Sequence, residues 1–296
     1  MSVPTAGRGS TVPNEQDQTG HRVYPAPAVV SLLDDATLTV NPPNLLCFHG
    51  SLAVSLVEGC GEGSIYWRNP PENHQTGIRG QGTERATQEA DRRARAQLRR
   101  YCVRNGLNRL GTLTYSNDHL PDDLSGVWAD IERFRRRLHD ELGELIPIVV
   151  TVEQGEISGR LHVHFAFGQY LDHSMVERAW SLGFVSLNKI KVEGGKREKC
   201  RRAAAYVSKY VSKDQGTELR CFNGRRYSTT KGFQAVRRSF AVDSFQAGLD
   251  ALQLEFGGMV VWFWSSEDFE DWNGPPVWSF RFGDEPSTPY SESPAS

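Results

Sequence analysis

Two histidines separated by one residue are the clearest chemical signal in the sequence. His162 and His164 lie in the segment GRLHVHFAFG, where they alternate with apolar residues as in a β-strand. Successive side chains of a strand point to opposite faces, so both imidazoles are predicted to face the same side. Neutral imidazole is a common ligand of divalent metal ions. The pair therefore predicts two ligands of a metal site, and a solvated strand face is the alternative.

A carboxylate is predicted to complete this ligand set. The segments PIVVTVEQG and RLHVHFAFG form two strands of an antiparallel hairpin joined across EIS. A turn centred on Ile157 and Ser158 places Glu153 directly across from His162, about 5 Å away at Cβ. Two histidines and one carboxylate leave open positions for substrate oxygens. A slip of one residue would leave Glu153 as a cross-strand polar partner only, and Glu156, nearer the turn, is then the fallback ligand.

A second unusual feature is a repeated Tyr-x-x-Lys unit in the segment AAAYVSKYVSK. Tyr206 and Tyr210 are four residues apart and share one face of a predicted helix, and Lys209 and Lys213 repeat this spacing. A phenol is a competent covalent nucleophile when a metal ion and a nearby cation favour its ionised form. The alternative is an aromatic stripe that packs on a sheet, although the neighbouring alanines and valine already supply apolar surface.

The elements around these residues predict an α+β fold with a split βαβ arrangement. The strand LGTLTY at 110–115 is followed by an amphipathic helix, LSGVWADIERFRRRLHDELG, which ends at Gly143. The hairpin, a helix in DHSMVERAWSLG, a strand in FVSLNKIKV and the tyrosine helix come next. The order β-α-β-β-α-β predicts a ferredoxin-like antiparallel sheet with helices on one face. The other face is predicted to be open for a site.

The charge is distributed unevenly along the chain. Residues 1–84 contain 4 basic and 8 acidic residues, residues 85–240 contain 29 and 18, and residues 241–296 contain 1 and 10. The basic middle segment predicts a polyanionic partner such as nucleic acid, and a solvated charged surface is the alternative. Residues 1–40 are predicted to be disordered and residues 41–84 irregular with short strands. Residues 241–296 form an acidic, aromatic-rich extension whose tryptophans are expected in a core rather than on a docking surface.

Several classes of protein are disfavoured by what the sequence lacks. The five cysteines form no C-x-x-C pair, the first residues have no apolar core, and no apolar run approaches the ~18 residues of a membrane span. We therefore expect a reducing cytoplasm and no membrane partner. No G-x-x-x-x-G-K-[ST] motif is present, so any unwinding of DNA would need a separate enzyme.

Taken together, the three motifs resemble a known superfamily. LGTLTY, GRLHVHFAF and AAYVSKYVSK follow one another within about 105 residues. In this order they resemble the HUH endonucleases, and specifically the two-tyrosine rolling-circle replication initiators of bacterial plasmids and single-stranded DNA phages. The resemblance covers residues 85–240, which we predict to be the nickase domain, and leaves both ends unmatched.

The resemblance implies a role for each motif. His162 and His164 would bind Mg²⁺ or Mn²⁺, and Glu153 occupies the place of a third ligand. One tyrosine would attack a phosphodiester, giving a 5′-phosphotyrosine and a free 3′-OH from which a polymerase extends. The second would allow the transfer that closes a circle, and Lys209 and Lys213 would lie near the scissile phosphate. The implied partners are single-stranded or extruded origin DNA, a host helicase and a host polymerase, in a bacterial cytoplasm.

Two alternatives remain open at this point. A relaxase or a transposase of the same superfamily would use the same residues, and a DNA-binding regulator could keep the fold without the chemistry. Basic residues close to the tyrosine helix are expected to bind DNA in each case: Arg197, Lys199, Arg201, Arg202, Arg225, Arg226, Arg237 and Arg238. The four arginines in the amphipathic helix, at 133 and 135–137, are expected to form an ordinary charged face.

Overall fold

The structure, a computed structural model, describes residues 50–68, 84–155, 160–212, 227–268 and 275–284, with backbone only at 84–89 and 212. All of these residues belong to one compact unit, Val40–Ser296. The predicted disordered segment 1–40 and the predicted turn at 157–158 lie outside the described residues. Within the described part of the chain, each helix is too short or too polar to cross a lipid bilayer.

One of two five-stranded sheets contains both motifs that were predicted on strands. Its strands are β3 (Arg109–Tyr115), β4 (Ile148–Gln154), β5 (Leu161–Phe167), β6 (Gly183–Lys189) and β7 (Tyr227–Thr229). Their order is β6-β3-β5-β4-β7, and every neighbouring pair is antiparallel. Together with helices α2 (Leu124–Leu142) and α3 (His173–Trp180), the first four strands form the predicted split βαβ unit. The predicted α+β fold class is therefore confirmed.

The helices of this unit pack on one face of the sheet through large apolar side chains. Helix α2 begins at Asp123, whose carboxylate accepts a hydrogen bond from the backbone of Gly126, and ends at Gly143, which has the left-handed φ of 72°. Its buried face meets Phe165 and other residues of β5 in an apolar core. A Cβ atom at Gly111 of β3 would lie 2.2 Å from the Phe165 ring, so this packing explains the glycine of LGTLTY.

The opposite face of the first sheet is covered by two further helices, which corrects the predicted open face. Helices α1 (Glu84–Arg104) and α4 (Lys196–Ser212) pack on each other and on β4 and β5. Small side chains such as Cys102 and Ala203 fill the space between them. The sequence-based prediction considered the thin apolar stripe of α1 by itself, whereas this stripe is completed by the alanines of α4.

A second five-stranded sheet is formed from both flanking segments. Its strands are β1 (Ser51–Val57), β2 (Glu62–Arg68), β8 (Arg237–Ala241), β9 (Val260–Ser265) and β10 (Val277–Phe282), in the antiparallel order β8-β1-β2-β10-β9. Helix α5 (Phe245–Phe256) packs on it over a core that contains the fully buried Trp278. Trp262 and Trp264 are half-buried, and Trp272 lies outside the described residues. The predicted domain boundaries near residues 84 and 240 stay predictions, although β8 pairs with this sheet.

Charged side chains connect the layer of α1 and α4 to the second sheet. The buried carboxylate of Glu62 on β2 accepts hydrogen bonds from Arg99, at 2.5 Å, and from Arg100, at 3.1 Å. Arg201 of α4 donates a hydrogen bond to the carbonyl of Phe282 at 2.7 Å. These contacts hold α1 and α4 between the two sheets.

Candidate active site

The two histidines lie where the alternation of the strand predicts them. His162 and His164 point to the face of β5 that is covered by α4, while Phe165 points into the core on the other face. In the register of the hairpin, Glu153 pairs with His162 and Thr151 pairs with His164. The predicted register is therefore confirmed, and Glu156, the fallback ligand, lies outside the described residues.

Two threonines of β3 orient both imidazole rings. Thr112 Oγ1 lies 3.1 Å from His164 Nδ1, and Thr114 Oγ1 lies 3.1 Å from His162 Nδ1. A hydroxyl can donate or accept, so each ring can carry its proton on either nitrogen without losing this contact. Such contacts to Nδ1 leave Nε2 as the ligand atom, as is usual around metal sites. The sequence analysis missed this role, although Thr-x-Thr has the same two-residue spacing as His-x-His.

The Glu153 side chain reaches diagonally to the second histidine. Its Oε2 atom lies 2.9 Å from Nε2 of His164, although the backbone of Glu153 is opposite His162. Burial lowers the pKa of His164 below its usual 6.5, and the hydrogen bond and charge of Glu153 offset this shift only in part. A neutral His164 that donates to a carboxylate is the arrangement these effects favour.

The donor set is chemically suited to a divalent metal ion, although it is not preassembled. Two imidazoles and one carboxylate on one face, with Nδ1 of each ring already bonded, match the ligands that such an ion takes. The ring centroids of His162 and His164 are 6.3 Å apart. Among the described residues, no three His, Cys, Asp or Glu side chains converge as a metal-binding group, because the hydrogen bond between Glu153 and His164 occupies the atoms that would bind the ion.

The two tyrosines of α4 lie directly against this cluster. The ring of Tyr210 stacks on His164 with the centroids 4.1 Å apart and the planes 5° from parallel. The ring of Tyr206 meets His164 edge-on at 6.0 Å and is 5.6 Å from the ring of Tyr210. The spacing of one helical turn therefore brings both phenols to one imidazole, whereas a purely structural stripe would contact the apolar residues of the sheet.

The surroundings of the phenols are described on one side of the pair. The ammonium of Lys209 lies 5.7 Å from the centre of the Tyr206 ring, where a cation and an aromatic face attract each other. Burial, followed by the hydrogen bond from Tyr206 and the charges of Tyr206 and Glu153, raises the pKa of Tyr210 well above its usual 10. Tyr210 is therefore protonated at neutral pH in this arrangement. Lys213 lies outside the described residues.

The predicted DNA-binding arginines divide into two groups, and this corrects part of the prediction. Arg197 contacts Asp284 and the carbonyls of Phe256 and Gly283, and the buried Arg201 contacts Phe282. Both side chains are thus used to attach α4 to the second sheet, because the backbone carbonyls that follow β10 and α5 need donors. They are not part of an exposed basic surface, which could not be seen before the second sheet was known.

The remaining predicted DNA-binding residues keep their accessibility to different degrees. Arg202 pairs with Glu198 at 3.2 Å on the surface of α4, and Lys199 is half-buried. Arg237 and Arg238 lie on β8, and Arg238 pairs with two carboxylates of the second sheet. Arg225 and Arg226 lie outside the described residues. DNA binding by these residues stays a prediction.

The fold and the cluster together define a class. A split βαβ sheet in which a His-x-His strand faces a helix with two tyrosines is the arrangement that the three motifs predict for an endonuclease of the HUH type. Residues 108–215, about a third of the chain, match the family described as replication-associated protein ORF2. This part of the chain is thus a domain of that family, in agreement with a rolling-circle replication initiator of the HUH type. Searches of curated proteins and of solved structures gave no match.

The matched residues coincide with the candidate site. They begin just before β3 and end just after α4, so they include the two threonines, the two histidines, Glu153 and both tyrosines. Helix α1 and the whole second sheet lie outside the match. The site therefore belongs to a replication-associated domain, and the surrounding layers are additions to it.

Proposed function

We propose that the protein nicks single-stranded origin DNA and becomes joined to its 5′ end through Tyr206 or Tyr210. The observation that supports this most directly is the contact of both phenols with His164, at centroid distances of 6.0 and 4.1 Å. A phosphodiester placed beside the imidazoles would be within reach of either hydroxyl. Neither a relaxase nor a silent regulator is favoured by any contact within this cluster.

The cleavage step follows from the chemistry of a phenol and a phosphodiester. The phenolic oxygen attacks phosphorus in line and forms the new P–O bond, while the bond to the 3′ oxygen breaks. The phenol loses its proton, and the departing 3′ oxygen takes up one, so the products are a 5′-phosphotyrosine and a 3′-OH. Mg²⁺ or Mn²⁺ held by His162, His164 and Glu153 would neutralise charge on the non-bridging oxygens. Lys209 would add a positive charge beside Tyr206.

The second tyrosine explains how the strand could be released as a circle. The energy of the broken phosphodiester is kept in the phosphotyrosine, so a later transfer needs no nucleotide cofactor. The two rings are 5.6 Å apart, which lets the second phenol cleave a regenerated junction while the first still holds the 5′ end. The freed 3′-OH then attacks the phosphotyrosine, restores the phosphodiester and releases the phenol. A host polymerase and a host helicase in a bacterial cytoplasm would supply extension and unwinding.

The experiment traps the covalent adduct without knowledge of the origin. The full-length protein is incubated with Mn²⁺ and a pool of single-stranded oligonucleotides that contain a randomised segment. Protein–DNA adducts are purified under denaturing conditions, the DNA is sequenced, and the modified residue is identified by mass spectrometry. We expect an enriched sequence and an adduct on Tyr206 or Tyr210, and the position of the adduct identifies the first nucleophile.

Conservative variants separate the loss of a hydroxyl from the loss of a ring. Tyr206→Phe with Tyr210→Phe should remove all adduct, because phenylalanine keeps the packing on His164 but has no nucleophile. The matched control is Tyr170→Phe, since Tyr170 is exposed and follows β5 on the same domain. An adduct on Tyr170 or on any tyrosine outside α4 would contradict the proposal, as would binding of the pool with no adduct.

A further inference from the structure

A groove of about 780 Å³ runs along α1 on the side that faces β7 and β8. The residues that α1 contributes are spaced as one helical face, from Arg92 and Arg93 through Arg100 to Tyr101. Nine residues separate Arg92 from Tyr101, so the groove follows the helix for about 13.5 Å. It lies outside the segment that matches the replication-associated family for most of its wall.

The described lining of the groove is basic and partly aromatic. Arginines 92, 93, 100 and 237 are part of it, together with Tyr101 and Tyr227, and the described lining residues include no carboxylate. Arg100 shares the carboxylate of Glu62 with Arg99. Burial and then the charge of Arg100 lower the pKa of Arg237 from its usual 12.5. The positive charge along this groove therefore exceeds the negative charge that the described residues place beside it.

The groove opens onto the same face of the first sheet as the candidate active site. Thr151 lies directly across from Tyr227 of the groove and also directly across from His164 of the site. Residues opposite one another in neighbouring strands share a face, and strands are about 4.8 Å apart. The backbone of Tyr227 is thus about 10 Å from that of His164.

The direction of the helices places the arginine end of the groove near the tyrosines. Helices α1 and α4 run antiparallel, because Gly106, after α1, lies against Lys196, at the start of α4. The early residues of α1, including Arg92 and Arg93, therefore lie alongside the late residues of α4, where Tyr210 is found. A chain that left the site could enter the groove at this end.

We propose that this groove holds the single strand of DNA on one side of the cleaved phosphate. Its volume and length give a mean width of about 8 Å, which suits one strand and is narrower than the ~12 Å major groove alone of a duplex. At 3.4 Å per stacked nucleotide, its length corresponds to about four nucleotides. Arginines would contact the phosphates, and the exposed parts of the tyrosine rings would contact bases.

This inference rests on the proposed function for the identity of the ligand, but it is tested by binding alone. The probe is a fluorescent single-stranded 20-mer of mixed sequence, and anisotropy is measured in EDTA with the Tyr206→Phe, Tyr210→Phe protein, which cannot cleave. We expect Arg93→Gln with Arg237→Gln to weaken binding about tenfold. We also expect the slope of log Kd against log salt to fall by about 1.4, because two phosphate contacts are lost.

The matched control removes the same charge from other surfaces. Arg136→Gln with Lys189→Gln changes exposed residues of α2 and β6, which lie outside the groove, and should leave both the affinity and the salt slope unchanged. Circular dichroism checks that both pairs fold. An unchanged affinity and slope in the groove variant would overturn the inference, as would a duplex or an RNA of the same sequence that competes better than the DNA strand.

The two proposals fail in distinguishable ways. If the adduct forms on α4 but the groove variant binds like its control, the groove assignment is wrong and the nicking proposal stands. If the groove variant loses affinity but no adduct ever forms, the groove holds single-stranded DNA and the nicking proposal is wrong.

Discussion

The two faces of the first sheet differ in what their side chains do. On the face covered by α2 and α3, large apolar residues such as Phe134, Phe165 and Trp180 form an uninterrupted core. On the face covered by α1 and α4, the core is built of small residues, and the strands end in histidines, threonines and a glutamate. The same strands supply both faces, because neighbouring residues alternate between them.

The comparison shows how one strand can serve stability and chemistry without compromise. Phe165 contributes to the apolar core, while the residue before it, His164, stacks on Tyr210 and bonds to Glu153. Changes on one face should therefore affect folding, and changes on the other should affect catalysis. The predictions below test this separation.

The largest expected effect is on catalysis, from the histidines. His162→Ala with His164→Ala should reduce nicking on the order of 10³-fold, because charge on the phosphate is no longer stabilised. The free energy of unfolding should fall by only about 1–2 kcal/mol, a common size for a substitution outside a large apolar core. Adduct formation with Mn²⁺ and urea denaturation in EDTA measure the two effects.

The matched change on the opposite face should show the reverse balance. Phe165→Ala removes a fully buried ring from the core of α2 and α3 and should lower the free energy of unfolding by about 3–5 kcal/mol. At a temperature where this variant is folded, its nicking should stay closer to wild type than that of the histidine variant. If the histidine variant loses more stability than Phe165→Ala, the two faces do not divide the tasks.

A smaller effect is expected from the threonines that orient the histidines. Thr112→Val with Thr114→Val keeps the shape and the preference for a strand but removes both hydroxyls. Loss of such contacts should weaken Mn²⁺ affinity about 10–100-fold, which titration calorimetry of the protein without DNA measures directly.

The control for the threonines lies on the next strand. Thr151 is fully buried opposite His164, and its hydroxyl has no hydrogen-bond partner among the described residues. Thr151→Val should therefore leave Mn²⁺ affinity unchanged. An equal loss in both variants would mean that any polar change beneath the site disturbs it, and the two hydroxyls would have no specific role.

The smallest expected effect concerns how α1 and α4 are held over the chemical face. Burial alone would raise the pKa of Glu62, but the hydrogen bond and charge of Arg99, with the charge of Arg100, lower it below 4.5. The folded protein therefore binds this proton less readily than the unfolded chain does. The stability that the carboxylate contributes is present above pH 4.5 and is lost as the pH falls through the folded pKa.

Urea denaturation at neutral and acidic pH tests this contribution. At pH 7, Glu62→Gln should lower the free energy of unfolding by about 1–3 kcal/mol, and the difference from wild type should shrink in acid. Glu141→Gln, which affects the surface pair with Arg178, is the control and should change stability less. A difference for Glu62→Gln that stays the same at both pH values would show that its charge is not what holds α1 and α4.

The local pattern of the sequence was sufficient to predict much of the site. Alternation in β5 places His162 and His164 on one face, and the hairpin register places Glu153 opposite His162. Helical spacing brings Tyr206 and Tyr210 to the same imidazole. These relations depend on residues close together in the sequence, where backbone geometry alone decides which side chains share a face.

The relations that could not be predicted join distant parts of the chain. Strand β2 pairs with β10, about 215 residues later, and no local pattern specifies that partner. For the same reason, Arg201 was predicted to bind DNA, whereas it donates to the carbonyl of Phe282. The diagonal contact of Glu153 with His164 depends on a side-chain rotamer, which the spacing of residues does not determine.

The pairing of β2 with β10 makes the first sheet an insertion within the second. The chain leaves the second sheet after Arg68, forms all five strands of the first sheet, and returns to the second at Arg237. Truncation from either end would therefore remove strands from the second sheet before it reached the first. A shortened chain that kept only residues 108–215 would also lack α1 and β7, and with them most of the basic groove. Internal deletions that rejoin neighbouring strands of the second sheet would preserve that sheet better than trimming the termini would.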